Sequence, residues 1–152
     1  MKLKMSRSTA IETISGLLIL LFMYTAISKF VSFKTFMVML KLSPLVKSHF
    51  LFVAFAVPIV EIIISGLLFF QRTKKIGFLS SFILMLIFTL YIAYFMLFAD
   101  DKPCSCGGVI SQMTWGQHLV FNIFFTFLAF LGYRLMKKGQ PEDNLPFKAA
   151  IQ

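Results

Sequence analysis

Residues 76–99 read IGFLSSFILMLIFTLYIAYFMLFA, without a single charged side chain. A helix of that length rises about 36 Å at about 1.5 Å per residue, enough to cross a hydrocarbon core of about 30 Å. A water-facing helix would show a polar stripe, and this stretch has none. Its edges are sharp: Lys74 and Lys75 precede it, and Asp100 and Asp101 follow it. The stretch therefore predicts a membrane span.

The rest of the chain agrees. Of 152 residues, 59% are hydrophobic and 14% are charged, and the mean hydropathy is +0.86. A soluble domain carries about a quarter charged residues, spread over its surface. Three more stretches have spanning length: 9–28, 50–70 and 115–136. Lipid cannot satisfy open backbone groups, so each must be a helix. The expected fold is all-α: four transmembrane helices in a bundle over residues 1–136, followed by a short cytoplasmic tail, 137–152. The first span follows Lys2, Lys4 and Arg7, as a signal peptide would. Its apolar run is longer than a usual h-region and lacks a small-x-small cleavage site, so it reads as a retained helix.

Lysine and arginine set the expected orientation. Three basic clusters lie on one side of an even-numbered set of spans: Lys2, Lys4 and Arg7; Arg72, Lys74 and Lys75; Arg134, Lys137 and Lys138. They predict both termini in the cytoplasm of a bacterial cell, in its inner membrane. Lys29, Lys34, Lys41 and Lys47 in the first outer connection oppose this, and the acidic third connection supports it. The net charge of +9 is thus a topology signal. No basic groove for nucleic acid is visible.

The first outer connection, KFVSFKTFMVMLKLSP, alternates apolar and basic residues at helical spacing. Phe30, Phe33, Phe36 (or Met37) and Leu40 fall near one stripe, and Lys34 and Lys41 share another. This predicts an amphipathic helix lying in the interface, stopped by Pro44.

Polar residues inside the spans are candidates for chemistry. Glu12 follows Thr9 by three residues, as in a capping box, and Gln117 follows Thr114 likewise. Glu61 has no such local account. It lies mid-span, where an ionised carboxylate is costly without a partner. It is read either as a protonated hydrogen-bonding group or as a proton acceptor or quinone ligand. Lys29 is its candidate counter-ion if the first helix runs deeper than residue 28. Otherwise Lys29 snorkels to the interface.

The only cysteines, Cys104 and Cys106, stand in PCSCGG, just before the fourth span. On the outer side they form the one available disulfide. Its ring is very small, so it stabilises little, and its tight geometry makes it reducible. A weak staple that exchanges readily is the logic of a redox pair. Two rival readings use the same chain. His49 and His118, with the two cysteines, would make a Cys2His2 set for zinc or copper. A non-catalytic assembly subunit is the other.

The chain resembles the MauE/DoxX group of small four-helix, redox-associated membrane proteins. The resemblance rests on SGLLILLFMYTAISKF ending near Lys29, on AVPIVEIIISGLLF with Pro58, Glu61 and Gly66, and on CSCGG before the last helix. Gly107 stands where MauE-like members carry an aromatic residue. The resemblance implies a part in disulfide formation or thiol electron transfer, within methylamine utilisation for MauE. With only one cysteine pair, a thioredoxin-like or other disulfide-containing extracytoplasmic protein is the expected partner. A quinone between the helices is the candidate cofactor, near Trp115, Gln117 and His118.

Overall fold

The computed structural model describes residues 7–43, 45–98 and 114–137. The cysteine pair, Pro44, the side chain of Trp115 and the tail beyond Lys137 lie outside the described residues. Within them the regular structure is helical: α1 (Arg7–Val31), α2 (Phe33–Leu42), a single 3-10 turn (Lys47–His49), α3 (Phe50–Phe69), α4 (Lys74–Phe98) and α5 (Trp115–Lys137). Four helices are long and apolar enough to cross a membrane: α1, α3 with its preceding 3-10 turn, α4 and α5. The predicted spans match them to within a few residues. The first helix runs past residue 28 to Val31, which carries Lys29 inside it.

The packing partners follow from specific contacts. Along α1 and α3 the residue numbers run oppositely: Ser15 Oγ donates to the Leu68 carbonyl at 3.1 Å, and Lys29 meets Glu61. Along α4 and α5, Phe82 packs on Phe130, and the Thr89 and Thr126 hydroxyls share a hydrogen bond of 3.2 Å. Arg7 Nε donates to the Leu135 carbonyl at 3.0 Å, and its Nη2 reaches the same oxygen. The end holding Arg7, the α3–α4 turn and Lys137 is called near below. The end holding α2, Phe98 and Thr114 is called far.

The apolar core lies towards the near end. Leu18, Leu68, Phe78 and Ala129 are wholly buried, with Ile14, Phe22, Ile64 and Met85 beside them. Outside this core the helices expose large apolar side chains, such as Leu20, Phe52, Ile87 and Phe127. That breadth of exposed apolar surface is costly in water and ordinary in lipid.

Small residues permit the closest approaches. A Cβ on Gly77 would stand 2.9 Å from the Leu68 amide nitrogen and 3.0 Å from the Leu67 carbonyl carbon. Backbone cannot yield as a side-chain tip can. Gly77→Ala is therefore expected to destabilise the protein by about 1–3 kcal/mol, read as an earlier midpoint in SDS-titrated unfolding. An unchanged midpoint would mean that α3 and α4 separate at this point without cost.

Two local expectations divide. The Thr114–Gln117 capping box forms: the Gln117 N–H donates to Thr114 Oγ1 at 3.3 Å, and the Thr114 N–H donates to Gln117 Oε1 at 3.0 Å. The Thr9–Glu12 box does not. The helix already begins at Arg7, and Glu12 Oε1 and Oε2 accept from Lys74 Nζ at 2.7 and 2.8 Å. Gln71 Nε2 adds a third bond at 2.9 Å. A charge-assisted pair to a buried lysine outweighs one bond to a helix-end amide.

Candidate functional site

The Lys29 and Glu61 backbones lie far apart along the helix axes. From Ser15 to Lys29 α1 climbs about 21 Å, whereas from Leu68 back to Glu61 α3 climbs about 10 Å, at about 1.5 Å per residue. Side chains lean towards the N-terminus of their own helix. The two helices run oppositely, so Lys29 leans towards the near end and Glu61 towards the far end. The leaning side chains close the offset, and Nζ lies 2.7 Å from Oε1. Glu61 is 1% exposed and the Lys29 side chain 18%. Lys29 acts as counter-ion and does not snorkel away.

The carboxylate is only half satisfied. Oε2 has no hydrogen-bond partner among the described residues. Thr25 lies close enough to act on the carboxylate, but its hydroxyl bonds to the Phe22 carbonyl at 3.1 Å. Ser65 donates to the Glu61 backbone carbonyl, not to its side chain. Pro58, buried one turn earlier, has no N–H for the Ala54 carbonyl, which loosens the ladder beside the acid.

The pair borders a cavity of about 270 Å³. Lys29, Glu61, His118 and Asn122, together with Thr25, Ser28 and Tyr91, form its polar part, and the remaining wall is aliphatic and aromatic. Lys29 Nζ stands 5.9 Å from the Phe36 ring centroid and 5.8 Å from that of Phe88, within cation–π range. Phe36 and Leu40 bring α2 into the lining. His118 enters from the first turn of α5 because the capping box fixes where that helix begins. One turn on, Asn122 is 4% exposed and donates from Nδ2 to the His118 carbonyl at 2.9 Å.

Of the residues expected at a site, the structure therefore joins Lys29, Glu61 and His118. His49 is exposed and outside the lining. Gln117 is exposed and spent on its cap. Among the described residues no group of three or more His, Cys, Asp and Glu could hold a metal, and Cys104 and Cys106 lie outside them. Sequence reading missed Thr25, Tyr91 and Asn122. Two of them carried a signal: Thr25 stands four residues before Lys29, and Asn122 four after His118, each on its partner's helix face.

Comparison with known proteins bears on what this arrangement belongs to. No curated protein and no solved structure matches the chain. The model of one family, described as methylamine utilisation protein MauE, matches residues 7–135. That match takes in all four long helices and the paired Lys29 and Glu61, and on it the chain belongs to the MauE family of multi-pass membrane proteins involved in methylamine utilisation.

Proposed function

We propose that this MauE-family protein passes electrons between an extracytoplasmic dithiol protein and the membrane through Cys104 and Cys106. Its four long helices form one bundle in the bacterial cell membrane, with both termini cytoplasmic and the connection 99–113 outside. Helix α2 lies in the interface: Leu40 is buried, Phe33 packs on Phe55, and Lys34 and Lys41 are exposed.

The observation that supports this reading best is the position of the cavity. It holds a buried, half-satisfied carboxylate within the spans, and His118 on its wall is four residues from Thr114, where the connection carrying the cysteines ends. Ionisable groups inside a membrane protein are costly and mark pathways for protons or substrates. Thiol oxidation releases two protons with its two electrons, so a thiol exchanger coupled to the membrane needs such a group.

The exchange itself balances without a further reagent. A partner thiolate attacks the Cys104–Cys106 disulfide, one cysteine leaves as thiolate, and a mixed disulfide forms. The partner's second thiolate resolves it, giving a partner disulfide and a reduced Cys pair. In Cys106→Ser the lone Cys104 thiolate can attack the disulfide of the oxidised partner, the reverse of this exchange. With no second cysteine to resolve it, the mixed disulfide is expected to accumulate as a reducible adduct on a non-reducing gel. In intact cells a membrane-impermeant thiol reagent should label the reduced pair. Labelling only after permeabilisation would reverse the topology. Cysteines that stay reduced in native membranes and trap no partner would defeat the exchange.

A further inference from the structure

We infer that the Lys29–Glu61 cavity is a headgroup site for a lipid-soluble quinone and that it holds the hydroquinone more tightly than the quinone. This rests on the thiol-redox reading above and adds a carrier, a site and a direction of electron flow to it.

Charge narrows the ligand first. Lys29 and Glu61 compensate each other at 2.7 Å. A fatty-acid carboxylate entering beside them would meet Glu61, and an alkylammonium would meet Lys29. In an apolar surrounding either like-charge encounter is strongly opposed. A neutral molecule is not. Size narrows it further. Ligand pockets usually run about 300–1,000 Å³, so a cavity of about 270 Å³ suits a substituted ring and not a whole phospholipid. Its walls include the rings of Phe36, Phe88 and Phe121, faces on which a flat ring can stack.

Hydrogen bonding then separates the two redox forms. An ammonium has three N–H groups, and Lys29 spends one on Glu61 Oε1. A quinone carbonyl can accept from another. It offers nothing to Oε2, which is buried and has no donor among the described residues. A hydroquinone hydroxyl can accept from Lys29 and donate to Oε2 at once. The reduced ring therefore completes the site, and the oxidised ring leaves an acceptor unsatisfied. Leaving such a group unsatisfied corresponds to a preference on the order of tenfold. For a two-electron couple, tenfold tighter binding of the reduced form raises the bound potential by about 30 mV. The reaction so favoured is dithiol plus quinone giving disulfide plus hydroquinone. Two S–H bonds break, one S–S bond forms, and two electrons and two protons pass to the ring oxygens as two O–H bonds.

The test uses the full-length protein in lipid nanodiscs, carrying Cys104→Ser and Cys106→Ser so that no electrons leave the ligand. Decylubiquinone and its hydroquinone are titrated separately and anaerobically, and Kd is read by calorimetry. The hydroquinone is expected to bind about tenfold more tightly. Glu61→Gln, whose amide is both donor and acceptor, should bring the two Kd values together. Val57→Phe and, independently, Val53→Phe should weaken both forms by filling the cavity. Overturning results are no saturable binding, equal Kd values in the parent, or binding unaffected by both Phe variants. A co-purified acyl chain that neither ligand displaces, seen by native mass spectrometry, would also overturn it. Because the cysteines are absent here, quinone binding and mixed-disulfide trapping fail independently. Trapping without quinone binding would sink only this site; binding without trapping would sink the thiol reading.

Discussion

Lys29→Met is expected to destabilise the protein by about 3–5 kcal/mol, the usual effect of removing one partner from a buried ion pair. Glu61 is 1% exposed and Lys29 supplies its one side-chain hydrogen bond among the described residues. Without Lys29 the acid must stay charged in an apolar site or take up a proton, and either state is worse than the pair. The double variant Lys29→Met with Glu61→Leu should recover most of the loss, because a buried pair replaced by packed apolar groups is often neutral or better. Glu61→Gln alone should keep the fold, since amide and protonated acid are close in shape. SDS-titrated unfolding of the parent, Lys29→Met, Glu61→Leu and the double variant closes a double-mutant cycle. A harmless Lys29→Met would show that Glu61 is already satisfied by itself.

The second pair is expected to respond asymmetrically. Lys74 is 2% exposed and Glu12 51%. Glu12→Ala strands a buried ammonium and should cost about 1–3 kcal/mol, the penalty for a buried polar group left without its partner. Lys74→Met leaves Glu12 free to turn to water or to keep Gln71, and should cost clearly less. Equal effects in the same unfolding assay would mean that the pair behaves as an exposed bridge, whose worth is about 0–1 kcal/mol.

These two pairs also mark where the sequence could and could not be read. The spans were legible because lipid imposes a rule on every residue in a window, and residues 76–99 obey it without exception. The Thr114–Gln117 cap was legible because both partners are local. Glu12 fitted the same local motif and was misread, because its true partner stands 62 positions away. Lys29 as counter-ion was legible only conditionally. The outcome turned on three residues at a helix end, the least determinate feature of any helix. Thr25, Tyr91 and Asn122 were passed over because one neutral polar residue in an apolar run has many harmless accounts. Only the meeting of three helices gives these a common surface.

The unequal ends of the molecule have a mechanical consequence. At the near end, Arg7 is tied to Leu135, Ser15 to Leu68, and Glu12 to both Gln71 and Lys74, while Gly77 lets α3 and α4 touch. Towards the far end, a cavity interrupts the packing, and one 2.7 Å ion pair joins α1 to α3 beside it. Such a body is stiff at its root and compliant at its tip, like a pair of tweezers, with Lys29–Glu61 as the catch between the jaws. Local opening should then be graded along each helix, with amides near Gly77 exchanging with deuterium far more slowly than those near Lys29 or His118. Releasing the catch by Lys29→Met should quicken exchange at the tip through local opening, whereas root amides should quicken only by as much as the whole fold is destabilised.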